Sequence, residues 1–265
     1  MKIFISADIE GVTGATHWDE TDLPKADYAA FREQMTAEVA AACEGALQAG
    51  AKEIWVKDAH DSARNIVAAK LPSEVRLIRG WSSHPFGMVQ ELDETFQAAM
   101  MIGYHSRAAS GSSPLAHTMT GGFSQIVLND RYASEFLIHT YAAAYVHVPV
   151  VLVSGDKGLC DEVTQFNPLI TTVAVKEGIG GSTVNIHPNV ATARIREGAA
   201  RALSGDLSQL QNPLPPRFTI EVGYHDHTKA YPLGFYPGAT LVDPYTVRFE
   251  ADSYFDILRF MLFAP

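Results

Sequence analysis

Only two cysteines, Cys43 and Cys160, occur in the 265 residues, and they have no Cys-x-x-Cys spacing. That excludes a disulfide framework and a thiolate zinc site, and leaves each as a small buried residue. Positive charge is also scarce: 20 Lys and Arg stand against 30 Asp and Glu, a formal net charge of -10. A phosphate-backbone binder needs basic patches, so no nucleic-acid partner is expected. No stretch reaches the roughly 20 apolar residues needed to span a bilayer, so no membrane partner is expected. The opening MKIFISADIE lacks the long apolar run and small-residue cleavage site of an export signal. Together these absences predict a cytoplasmic chain.

Hydrophobic residues, at 47%, are sufficient for a substantial core, and 19% charged residues complete an ordinary globular balance. Apolar runs alternate with helical periodicity. Strands are predicted at Lys2–Ala7, Glu53–Lys57, Val75–Ile78, Ala98–Ile102, Gln125–Leu128, Val148–Val153 and Thr171–Val175. Helices are predicted from about Asp27 to Gln48, with Gly50 as the stop, and at Ser134–Tyr145, Gly158–Gln165 and Asn189–Leu203. The pattern predicts an α/β fold: a largely parallel sheet with flanking helices. The proline-rich run Gln211–Pro216 marks a connector. It divides an α/β domain over 1–210, carrying the chemistry, from a smaller α+β C-terminal unit over 211–265. Strands at Phe218–Val222 and Thr240–Val247 and a helix at Ser253–Leu262 are predicted there.

Parallel sheets place their chemistry beyond the carboxyl ends of the strands. Three ends carry metal-binding residues: Asp8 and Glu10 after the first strand, Asp58 and His60 after the second, and His105 after Gly103-Tyr104. Alone, an Asp-x-Glu at a strand end commonly caps a turn, and a lone histidine is commonly structural. Three such ends on one sheet edge point to a catalytic site for zinc or manganese. A carboxylate such as Asp8 can bridge two cations about 3.5–4 Å apart. Asp58 reads equally well as an orienter of a ligating imidazole or as a turn cap. Lys176 and Glu177 read as a site pair or a surface ion pair.

The ordered set Ile5–Gly14, Val56–His60, Gly103–His105, Leu115–Met119, Asn129 with Glu135, Pro149–Asp156 and Lys176–Gly180 resembles the D-aminopeptidases of dipeptide-transport operons. The resemblance covers the chain from its start to about residue 180. It implies a zinc-dependent aminopeptidase that removes N-terminal D-residues or glycine from short peptides, with two Zn2+ per subunit and Mn2+ as an alternative metal. By motif position Asp8 bridges the metals, Glu10 binds one of them, and His60, His105 and Glu135 complete the ligands. His117 matches the catalytic histidine; proton transfer or stabilisation of the tetrahedral intermediate suits an imidazole better than attack, for which a metal-activated water is the more natural nucleophile. A ring-like homo-oligomer, a decamer, is also implied. The chain departs from the pattern at Asp61, at Asp130–Tyr132 and at Gly181–Thr183, which leaves the substrate pocket open. Two rivals remain: another metal-dependent hydrolase such as a nucleotide phosphomonoesterase, and a non-enzymatic peptide-binding protein.

Overall fold

The computed structural model describes residues 1–265. Its elements, in chain order, are β1 (Lys2–Ala7), α1 (Tyr28–Gln48), β2 (Glu53–Asp58), β3 (Val75–Ile78), β4 (Ala98–Tyr104), β5 (Phe123–Leu128), β6 (Arg131–Tyr132) and α2 (Glu135–Tyr145). They continue through β7 (Val150–Asp156), α3 (Lys157–Phe166), β8 (Thr171–Ile179), β9 (Ser182–Asn185), α4 (Pro188–Leu203), β10 (Phe218–Tyr224), α5 (His227–Leu233), β11 (Thr240–Asp243), β12 (Thr246–Ala251) and α6 (Tyr254–Met261).

The first sheet has the order β3-β2-β1-β4-β7-β8-β9. All its neighbours are parallel except the β8–β9 hairpin. Strands such as Ile3-Phe4-Ile5 and Val150–Val153 are buried throughout, which is why they read as unbroken apolar runs. Strand order reverses between β1 and β4, whose carboxyl ends lie side by side with that of β2: Ala7 is opposite both Asp58 and Ile102. A switch point of this kind opens a crevice beyond the strand ends. The predicted α/β architecture is therefore present.

The second sheet is antiparallel, in the order β11-β12-β10-β5-β6. Its pairing of β5 with β10 ties residues 123–128 to residues 220–224, across the connector at 211–216. The expected single strand Thr240–Val247 is instead two strands, because Asp243 accepts a hydrogen bond from the Tyr245 N–H and turns the chain into the β11–β12 hairpin. Gly180-Gly181 likewise makes the tip of the β8–β9 hairpin. One contiguous apolar core runs through both sheets. No helix is long and apolar enough to cross a membrane.

Candidate metal centre

Immediately beyond β1 the backbone turns under close constraint. The Asp8 N–H donates to Ile102 O and the Gly11 N–H donates to Gly103 O, both at 2.8 Å, so the loop is stitched to β4. A Cβ on Gly11 would lie 1.7 Å from Tyr104 O, and one on Gly103, whose φ is +73°, would lie 2.3 Å from Asp8 O. Only glycine fits at either place. From the other side, the buried Lys176 ammonium donates to the carbonyls of Glu10 and Ala15, and Glu38 accepts the Thr13 N–H at 2.9 Å. Lys176 is thus neither a surface ion-pair partner nor a group facing the crevice; it braces the loop that presents Asp8 and Glu10. Glu177 is exposed.

Five of the expected residues come together here. Asp8 Oδ1 lies 3.3 Å from His60 Nδ1, while Asp8 Oδ2 lies 3.4 Å from His105 Nε2. Glu10 Oε2 lies 2.9 Å from His60 Nδ1, and Glu135 Oε2 lies 3.4 Å from His105 Nε2. His117 sits beside them, its Nε2 3.7 Å from Glu135 Oε1 and its ring stacked on His105 with centroids 4.2 Å apart. Ligand atoms of Asp8, Glu10 and His105 lie within 4.8 Å of one another, as do those of His105, His117 and Glu135.

Each imidazole has one nitrogen tied to a backbone carbonyl. His60 Nε2–H donates to Thr21 O at 2.8 Å, His105 Nδ1–H to Ser106 O at 2.9 Å, and His117 Nδ1–H to Leu115 O at 3.0 Å. The opposite nitrogens are therefore left for the crevice, the usual way a ligating histidine is oriented. Asp58 plays no part in orienting the His60 ring. It accepts from the Asn65 N–H, the Ile66 N–H and the Asn65 side chain, and so caps the turn that follows β2. Glu135 is the first residue of α2, whose N-cap Ser134 accepts from the Leu137 N–H. The Met119 N–H donates to Glu135 Oε1 at 2.7 Å and fixes the carboxylate. His139, one turn on, donates through Nδ1 to Glu135 O at 2.7 Å and accepts the Met88 N–H on Nε2.

The donor set fits metal ions on an independent observation. Glu10 Oε2 and His105 Nε2 are buried with no hydrogen-bond partner, although His60 Nδ1 approaches Glu10 Oε2 closely in a misaligned contact. Buried polar atoms are rarely left so. The charges of the side chains alone settle as imidazolium–carboxylate pairs. Burial works against a charged His105, but Glu135 and Asp8 outweigh it and push the imidazole up to about 10. His60 is also raised well above its ordinary value, with burial overcome by Glu10 and Asp8. Burial resists ionisation of Glu135, yet His105 holds it at about 2. Burial similarly resists ionisation of Glu10, but His60 holds it well below the carboxylate range. Burial and the charge of Glu10 raise Asp8 well above that range.

A bound cation has to displace these imidazole protons. Zinc binding is accordingly expected to release protons near neutrality, with affinity rising as pH rises. The sign follows from both imidazoles being raised: they are protonated without metal and must be neutral with it. Calorimetric titrations in buffers of different ionisation enthalpy measure the release, and a zero proton count would contradict this charge arrangement.

Carboxylates and imidazoles, free of thiolate, gathered at the switch point of a parallel sheet define a metal-dependent hydrolase of the α/β class. The sequence pattern of the D-aminopeptidase family matches residues 1–263. The D-aminopeptidase of Bacillus subtilis (strain 168) is 32% identical over 264 residues, covering 99% of this chain and 96% of that protein. The solved Zn-dependent D-aminopeptidase DppA from Bacillus subtilis, described as a self-compartmentalizing protease, superimposes with a TM-score of 0.92 at 31% identity, covering 99% of this chain and 96% of the other. The chain belongs to the D-aminopeptidase family, and is a metallo-aminopeptidase.

Proposed function

We propose that the enzyme hydrolyses short peptides beginning with a D-residue or glycine, using two zinc ions per subunit. Asp8, Glu10, His60, His105 and Glu135 hold them, and manganese suits the same donors. The observation that carries this reading is the division of Asp8, one carboxyl oxygen facing His60 and the other facing His105. When bound, such a pair supplies an activated water and polarises the scissile carbonyl.

The remaining work falls to the chain. His117 has Nδ1–H committed to Leu115 O, so Nε2 is the atom that carries a proton between the attacking water and the leaving amine. A cavity of about 910 Å³ opens beside these residues. Its rim carries Asp19, Asp22 and Asp61; Asp19 is paired with Lys25 at 3.0 Å, whereas Asp22 and Asp61 make no ion pair. These free carboxylates suit the α-ammonium group that distinguishes an aminopeptidase substrate. Lys25 is the one lysine or arginine in the lining, which disfavours a phosphomonoester. A ring-like homo-oligomer, a decamer, is proposed in keeping with the self-compartmentalizing neighbour.

A dipeptide panel varying N-terminal chirality tests the reading, run on chelated enzyme reloaded with zinc or manganese. D-Ala and Gly dipeptides are expected to turn over at least about tenfold faster than L-Ala dipeptides, with nucleoside monophosphates untouched. Turnover that survives chelation, or a preference for the L-series, would overturn it.

A further inference from the structure

The short helical turn Trp18–Glu20 borders the cavity and touches the centre at two points. It is a rigid turn. The His17 side chain accepts the Asp19 N–H, Glu20 accepts the N–H groups of Thr16 and His17, and Thr21 Oγ1 donates to Trp18 O. At its end, Thr21 O accepts the Nε2–H of His60. At its start, the Trp18 indole packs against His117 with centroids 5.2 Å apart and planes at 66°.

His117 has few other constraints. One hydrogen bond to Leu115 O fixes a single ring atom, and an imidazole held there can still swing. Packing on His105 at 11° between planes and edge contact with Trp18 remove that freedom. We propose that Trp18 is a positioning residue for catalysis, holding the His117 imidazole so that Nε2 faces Glu135 and the metal ligands. The inference rests on His117 being the proton carrier. Trp18 does its work through that ring, while the same turn orients His60 through a backbone carbonyl that no side-chain substitution removes. Orientation effects on this scale are large: misplacing a reacting group by about 1 Å costs on the order of a hundredfold in rate.

Trp18 is 44% exposed, so its replacement leaves the core intact. For Trp18→Ala, kcat is expected to fall by about tenfold to a hundredfold with KM changed by less than about threefold. Trp18→Phe, which keeps an aromatic edge against His117, is expected to recover kcat to within about threefold of wild type. Zinc content should match wild type in both. In a cycle with His117→Asn, read in single turnovers with enzyme in excess, the double variant should be no slower than His117→Asn alone, since residues acting as a unit are non-additive. A rise in KM at unchanged kcat, additive losses in the cycle, or loss of zinc would overturn the inference. Full activity of His117→Asn would instead overturn the role of His117 itself, and the inference with it.

Discussion

Asp8→Ala is expected to empty the metal centre and to reduce kcat/KM on a D-Ala dipeptide by more than about a thousandfold. The size of the effect follows from the position of Asp8 between the two halves of the site, with one oxygen 3.3 Å from His60 and the other 3.4 Å from His105. A residue serving one cation costs one cation when removed; a shared carboxylate costs both. Removal also takes away the one carboxylate that approaches both His60 and His105, and no remaining side chain reaches both, so reloading with excess zinc should fail. Elemental analysis of protein purified without chelator, alongside the dipeptide assay, measures both effects. His60→Ala provides the contrast, since it should remove one metal and leave the other on Asp8, His105 and Glu135. If Asp8→Ala retained its full zinc complement and its turnover, the bridging assignment would be wrong.

Gly103→Ala is expected to destabilise the fold by about 3 kcal/mol or more and to abolish activity in whatever fraction folds. Two costs combine at this position. Its φ of +73° lies where a Cβ is strained, and that Cβ would stand 2.3 Å from Asp8 O. Because the colliding atom is backbone, relief requires β1 and β4 to separate at the point where Asp8 and His105 are presented. Gly50→Ala makes a matched control: its φ is +89°, yet nothing lies within 4 Å of the added Cβ, so it carries the strain without the collision. Urea unfolding of the two variants separates these terms. Equal losses would mean that the approach of β1 to β4 is softer than its distances indicate.

The strand ends carrying Asp8, Glu10, His60 and His105 were legible because each follows a short, largely apolar strand, and only a parallel sheet aligns three such ends. Glu135 was legible only through the family resemblance. As the first residue of a capped helix it looks like an ordinary acidic first turn, favourable to the helix dipole with no ligand in view. The turn from Trp18 to Thr21 left no signal at all, since its grip on His60 comes from a main-chain oxygen and its grip on His117 from a solitary aromatic. Of the two readings of Asp58, the turn cap is the one its hydrogen bonds support. The partnership of β5 with β10 was hidden for another reason: each strand has local character, but pairing across about ninety residues of chain is decided by the packing of the whole.

That pairing makes the centre depend on chain far from its ligands. The half of the centre formed by Asp8, Glu10, His60 and His105 belongs to the first sheet and is complete in the chain by residue 105. The half formed by Glu135 hangs from the β5–β6 hairpin, which is held in place by β10 and, behind it, β12. With Lys176 on β8 holding the loop of Asp8 and Glu10, and β10 and β12 holding the hairpin that leads to Glu135, peptide-bond cleavage needs nearly the whole sequence.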